Sequence, residues 1–519
     1  MVNDSRRLIL ALTGVAAMLT LSMGARPAMA EDPLSAIDWL SQSVSTPADT
    51  RPPEPDVTGA GGAVPADVVV SVLDGPSPDA AGVLPPSVTG LPRNLWGIGR
   101  SAEIAELLAA ERVDTLPALQ GLLLMVLLAE ARPPAEAAPP GLLLRARIDK
   151  LLAMGALDQA QALLGVAGPS TPDLFRRAFD VAMLTGTEDK HCAELQGNPR
   201  LAPTYPARIF CLARSGDWNA AALTLRMAQA LGLVTDSEDA LLSRFLDPDL
   251  YEGEPPLTPP DPVTPLAWRM LDSIGEGLPT AGLPLAFSHA ELRDTAGWKA
   301  QIEAAERLSR AGVIDPNVLL GIYTARLPAA SGGVWNRVEA FQRFETALAA
   351  GDPGAVALTL APAWAQMMEA ELELPFALLF ADRIRRLPLT GEADALAFRL
   401  ALLSPDYEAA ALARQTSDAM EKFLIGLARG SLQGVVPPSS MARTITPAFL
   451  RPVPPADIKA LLEENRLGEA LLMAMDRIAR GLHGESRFVT EGLSVLRQVG
   501  MEDLSRRVAL QLMLLERRG

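Results

Sequence analysis

A chain of 519 residues with 49% hydrophobic side chains and a formal charge of −16 has ample material for a large core and is a folded protein rather than a disordered one. The first thirty residues carry a net +2 (Asp4 against Arg6, Arg7 and Arg26), so their removal leaves −18, a balance that repels phosphate backbones and anionic lipid and argues against nucleic acid as a partner. Only five of the 46 basic residues are lysine, which with the abundant alanine reads as the mark of a GC-rich genome and not of function.

Residues 1–30 carry a signal peptide. Arg6-Arg7 precedes an apolar run from Leu8 to Met23, and Ala28-Met29-Ala30 supplies the small residues a signal peptidase needs before Glu31, so the expected cleavage lies between Ala30 and Glu31. The apolar run is short for a membrane span, so no stable span is expected after cleavage, and no cysteine follows the site to carry a lipid anchor. Ser5-Arg6-Arg7-Leu8-Ile9-Leu10 resembles the twin-arginine export signal, while an ordinary secretory leader whose positive end is two arginines is the plainer reading. Either route delivers the chain to the periplasm of a Gram-negative bacterium or beyond it.

Residues 31–100 read as one short amphipathic helix over 32–44, opened by Asp32-Pro33, followed by a stretch crowded with Pro, Gly, Asp and Ala that cannot sustain a helix. Apolar islands interrupt it. Val68, Val70 and Val72 sit in a lone strand pattern over 68–73, and Leu91, Leu95 and Trp96 close the region. A plain tether needs no such anchors, so 68–97 is expected to dock, either on this chain's own helices or on a partner.

From Ser101 onward the pattern is helical. A helix over 101–110 is followed by one opening at Thr115-Leu116-Pro117, whose run over 122–129 is apolar on all sides and therefore buried. Hairpins follow at 141–166, turning at Gly155, and at 208–231, turning at Ser215-Gly216-Asp217. In the latter Ile209, Leu212 and Ala213 face one way and Ala221, Leu225 and Ala228 form the second helix's apolar face. The proline-rich stretch 252–265 divides this N-terminal helical region, 101–251, from a C-terminal one, 266–519. Further helices are expected over 294–311, 315–327, 334–350, 353–372, 374–387, 393–403, 405–415 and 418–429, then a second proline-rich break over 435–455 and bent pairs over 456–480 and 486–518. The fold class is all-α.

Gly155 to Ala160, Gly216 to Ala221 and Asn465 to Ala470 each place a small residue five positions after a residue tolerant of the left-handed conformation, and Gly351 to Val356 is a looser copy. The run Gly216-Asp217-Trp218 with Ala221, Leu225 and Ala228 resembles the turn and second helix of the tetratricopeptide repeat. Ile209 and Leu212 depart from that family's first-helix pattern. The resemblance implies an irregular α-solenoid of helical hairpins acting through protein–protein contact; an irregular all-α domain is the alternative and gives the same fold class.

Cys192 and Cys211 are the only cysteines. In an exported chain they are expected to pair as a disulfide, with two buried free thiols as the alternative. The bond would pin 191–198, read as turn-rich, against the helix beginning near Arg208. His191, His289 and His483 are the only histidines and read as ordinary satisfied or solvated side chains. Gly97-Ile98-Gly99 mimics a dinucleotide fingerprint but lacks the strand before it, so it reads as a loop. Glu485-Ser486-Arg487-Phe488 resembles the motif around the catalytic acid of soluble lytic transglycosylases, yet only 34 residues follow Glu485, too few for the domain that would tune that acid. No catalytic residue, cofactor or metal is expected. The chain reads as a periplasmic helical-repeat scaffold for protein partners in the envelope, with an enzyme or accessory subunit acting on peptidoglycan, or a small-ligand carrier with a closed apolar pocket, as alternatives.

Overall fold

A computed structural model describes residues 77–135, 139–168 and 171–515, and these are helical with no strand among them. The expected signal region, its expected Ala30-Glu31 cleavage site and Val68, Val70 and Val72 lie outside the described residues. The helices are α1 (Pro86–Thr89), α2 (Ser101–Ala110), α3 (Pro117–Leu128), α4 (Leu142–Ala153), α5 (Leu157–Ala167), α6 (Pro172–Thr185), α7 (Glu188–Gly197), α8 (Tyr205–Arg214), α9 (Trp218–Ala230), α10 (Asp236–Leu246), α11 (Pro265–Ser273) and α12 (Trp298–Arg310). The remainder are α13 (Pro316–Thr324), α14 (Val334–Ala350), α15 (Pro353–Glu369), α16 (Glu373–Arg385), α17 (Gly391–Leu403), α18 (Tyr407–Ala413), α19 (Ala419–Ala428), α20 (Ser440–Leu450), α21 (Ala456–Glu463), α22 (Leu467–Leu482), α23 (Arg487–Gln498) and α24 (Glu502–Leu514).

Local chemistry sets most of these boundaries. Asp217, Asp315, Asp352 and Asp418 accept from backbone N–H groups of the first turns of α9, α13, α15 and α19, and Thr235 with Glu238 forms a reciprocal capping box on α10. At the hairpin turns Gly155, Gly216, Gly351 and Asn465 all adopt positive φ, and Ala160, Ala221, Val356 and Ala470 are buried where the second helix of each pair packs on the first.

Two expectations from the sequence need correcting. The segment around His191 is a helix, α7, because Glu188 and Asp189 suit its first turn and Cys192 and Leu195 give it a buried face. The break over 435–455 contains α20: Ser439 caps it and the buried Ala442, Ile445, Ala448 and Phe449 hold it despite the internal Pro447. Tertiary burial there offsets the backbone bond that Pro447 cannot make.

The packing exceeds the nearest-neighbour pattern of a simple solenoid. α13 packs on α16 as well as on its neighbours, and the tight turn Leu285–Leu292 packs on α4, α6 and α12. The first helices meet the last: α2 and α3 pack on α22, and α3 packs on α24, where Gln511 Oε1 accepts from Ala118 N–H at 2.9 Å. One apolar core draws on residues from both sides of 252–265, and a second is built by α6 to α11. After that proline-rich stretch α11 turns back onto α6 and α10. α3 is apolar on nearly every side, as its sequence requires, and is buried by α4, α22 and α24; no helix among the described residues is long and apolar enough to cross a membrane.

Two buried cations on α4 end the preceding helices. Arg147 donates to Leu127 O, Ala129 O and Ala81 O at 2.7, 3.0 and 2.7 Å, and Lys150 donates to Ala109 O and Glu111 O at 3.0 and 2.7 Å. Each supplies donors to carbonyls that a helix C-terminus leaves unsatisfied. Beside Lys150 the Glu111 carboxyl is buried, and that burial, with Asp476 on α22 adding to it and Lys150 opposing, raises its pKa from 4.5 to about 8. An acid whose pKa is higher in the folded state favours folding at low pH, and that contribution is lost as pH rises from about 4.5 to about 8. The folded chain is therefore expected to be less stable at pH 8.5 than at pH 5.5 against urea, and Glu111→Gln should flatten that difference by stabilising the high-pH form. An unchanged pH dependence in the variant would remove Glu111 as its source.

Candidate functional site

The disulfide is formed. Cys192 on α7 and Cys211 on α8 are bonded with Cα atoms 5.0 Å apart, both buried in the second core. Closing a loop of sequence separation 19 is worth about 3 kcal/mol on the chain-entropy account. Reduction under native conditions should lower the unfolding midpoint accordingly, and titration of the unfolded, unreduced chain should find no free thiol.

The histidines stand apart from one another. His191 is buried on α7, with Nδ1 3.2 Å from Glu194 Oε2. His289 Nε2 lies 2.9 Å from Gly155 O, and burial depresses its pKa to about 4, so it joins the turn at 285–292 to the α4–α5 turn as a neutral ring. His483 is exposed at the end of α22. Glu485 is half-exposed and ion-paired to Arg480 at 3.2 Å and Arg487 at 3.8 Å.

Leu91, Leu95 and Trp96 are buried within this chain. Leu95 O accepts from Gly468 N–H at 2.8 Å, and the Trp96 indole lies so close to Gly468 that a Cβ there would sit 2.4 Å from the ring. Gly97, at φ +50°, lies against Asn465 O in the same way. The loop therefore docks on the α21–α22 turn.

Among the described residues, a face of α9 and a cleft beside α3 offer surfaces for partners or ligands. On α9 the inward face is Ala221, Leu225 and Ala228, while Leu223, Met227 and Leu231, spaced four residues apart, are 61%, 55% and 66% exposed, with Trp218 half-exposed at the same helix's start. That is a ridge of large apolar side chains pointing away from the body. The sequence pattern gave α9 one apolar face, and the ridge was hidden because Ala at the packed positions made the inward side look sufficient.

The second is a cleft along α3. Its larger part, about 610 Å³, is lined by Leu122, Met125, Leu374, Leu378 and Leu402 together with the polar Ser404, Glu502, Asp503, Arg507 and Gln511, and Leu378 beside it is 44% exposed. A narrower section of about 160 Å³ shares Gly121 and Leu378 with it and adds Gln120, Ser309 and Arg310. A third section, about 450 Å³, shares Gln120, Arg310 and Glu371 with the second and reaches Arg307 and His483. Gly121 lines the first two, and no atom lies within 4 Å of where its Cβ would be. None of these lining residues carries a sequence motif, since they come from α3, α12, α16, α17 and the C-terminal helices. No family model matches the chain, and neither a curated protein nor a solved structure is similar to it.

Proposed function

We propose that this chain is an exported helical scaffold, built of degenerate tetratricopeptide-like hairpins, that engages another envelope protein through α9. The observation that carries this reading is the exposed ridge of Leu223, Met227 and Leu231. Large apolar side chains in register on one helix are costly to leave in water and match the i, i+4 rows by which a second helix interdigitates. The acidic chain favours a partner whose flanking surface is basic.

A photoreactive residue at Trp218, introduced into the chain in its native cells, tests this. The mature protein should begin at Glu31 in the periplasmic fraction and give one defined adduct, and Leu223→Asp with Met227→Asp should abolish that adduct while leaving the unfolding midpoint unchanged. Adducts that persist in the double variant, or a cytoplasmic full-length chain, would overturn the reading.

A further inference from the structure

The elements beside α9 restrict what can cover its ridge. α9 contains no carboxylate, and the exposed Arg226 is its one charged side chain. α10 runs back along it. Near the end of α9 Gln229 Nε2 donates to Asp239 Oδ1 at 2.5 Å, and at its start the Trp218 and Phe245 ring centroids are 6.4 Å apart. From Trp218 to Leu231 the ridge is about 20 Å long.

Carboxylates gather at both of its ends. The turn 232–235 leads from Leu231 to Asp236, Glu238 and Asp239 in the first turn of α10. At the other end the chain continues past Phe245 through Asp247, Asp249 and Glu252, all three exposed. Glu238 is engaged with Thr235, and Asp239 with Gln229 and Ser243, all neutral groups. Among the described residues no cation pairs with Asp236, Asp247, Asp249 or Glu252.

That distribution selects among possible occupants. A second copy of this chain would set carboxylates against carboxylates in either orientation, because both ends of the ridge are acidic, and an anionic lipid surface would be repelled in the same way. A neutral helix would gain only the apolar contact. A helix with a cation at each end gains ion pairing as well, while a cation at its centre would meet Arg226. Taking α9 as the docking face, on which this step rests, we infer that its partner presents an amphipathic helix with an apolar stripe of about 20 Å. That helix carries lysine or arginine at both ends and none at its middle.

A synthetic amphipathic peptide of about 18 residues, with leucines along one face and lysines at both ends, is the probe. Two further forms carry glutamine or glutamate in place of the lysines. Fluorescence anisotropy with the purified chain should find the lysine form bound about tenfold more tightly than the glutamine form, with the preference lost at high salt, and the glutamate form unbound. Leu223→Asp with Met227→Asp should abolish binding of the lysine form. Those changes add negative charge, so a general attraction to an acidic chain would strengthen binding instead. Asp236→Asn, Asp247→Asn, Asp249→Asn and Glu252→Gln together should weaken the lysine form about tenfold and leave the glutamine form unchanged. All four side chains are exposed, so the unfolding midpoint should hold.

Failure of the lysine form to bind the parent chain, or binding indifferent to the four carboxylates, would overturn the inference. So would sedimentation of the parent as a dimer that Leu223→Asp dissociates. A Trp218 adduct in cells that persists undiminished when the four carboxylates are removed keeps α9 as the docking face and removes only the charge rule, whereas its absence from the parent removes the docking face itself.

Discussion

Replacing Trp96 by alanine is expected to destabilise the chain by about 3–5 kcal/mol, the range for deleting a fully buried large aromatic side chain. The indole fills the space between its own loop and the start of α22. Gly468 presents bare backbone to the ring, and the loop is fixed by Gly468 N–H to Leu95 O at 2.8 Å and by Ala135 N–H to Gly97 O at 3.1 Å. The reciprocal change, Gly468→Ala, deletes no contact and instead drives a methyl into the ring, so a loss of about 1–3 kcal/mol is expected from overpacking alone. Urea unfolding followed by far-UV circular dichroism reads both. If Trp96→Ala costs less than about 1 kcal/mol, the loop is not docked on the α21–α22 turn as described.

Arg147→Met should cost a similar amount, about 3–5 kcal/mol, for a different reason. Methionine replaces most of the volume but none of the donors. Leu127 O and Ala129 O at the end of α3, and Ala81 O in the incoming loop, would lose their partners inside the core, and each stranded carbonyl carries its own desolvation cost. The same loop is held a second time, by Asp79, whose carboxylate accepts from Gly141 N–H at 2.9 Å and Leu144 N–H at 2.7 Å at the start of α4. Arg147→Lys should recover only part of the loss, since an ammonium cannot match the planar fork that spans these carbonyls. Burial lowers the Arg147 pKa to about 10 against the influence of Asp79, so the guanidinium stays charged through neutral pH and the loss should be the same at pH 6 and pH 8. A pH-dependent loss would show that another group supplies the effect.

The sequence by itself determined the elements. Glycine or asparagine at 155, 216, 351 and 465, followed five residues later by a small or slender side chain, places a turn and a close helix contact through backbone conformation and steric size, which are local properties. The all-apolar run of α3 likewise demanded burial before anything was known of what buries it. Two cysteines in a chain read as exported sufficed for expecting the disulfide that the structure shows. Where local signals compete, sequence does not decide: prolines at 437, 438, 447, 452, 454 and 455 mask the apolar spacing of Ile445, Ala448 and Phe449, and α20 draws its stability from contacts with α23 and α24.

Only the tertiary structure decided which faces meet. Helical periodicity reports that a residue points inward and carries no information about its partner, so the contact of Ala118 with Gln511, 393 residues away, left no trace in either segment. Arg147 and Lys150 look like solvated charges on α4 until the carbonyl ends of α3 and α2 close over them. The cleft is a product of the same long-range assembly. Leu374, Ser309 and Gly121 are unremarked residues on three separate helices, and their chemistry becomes joint only because the folded chain brings α3, α12 and α16 around one space.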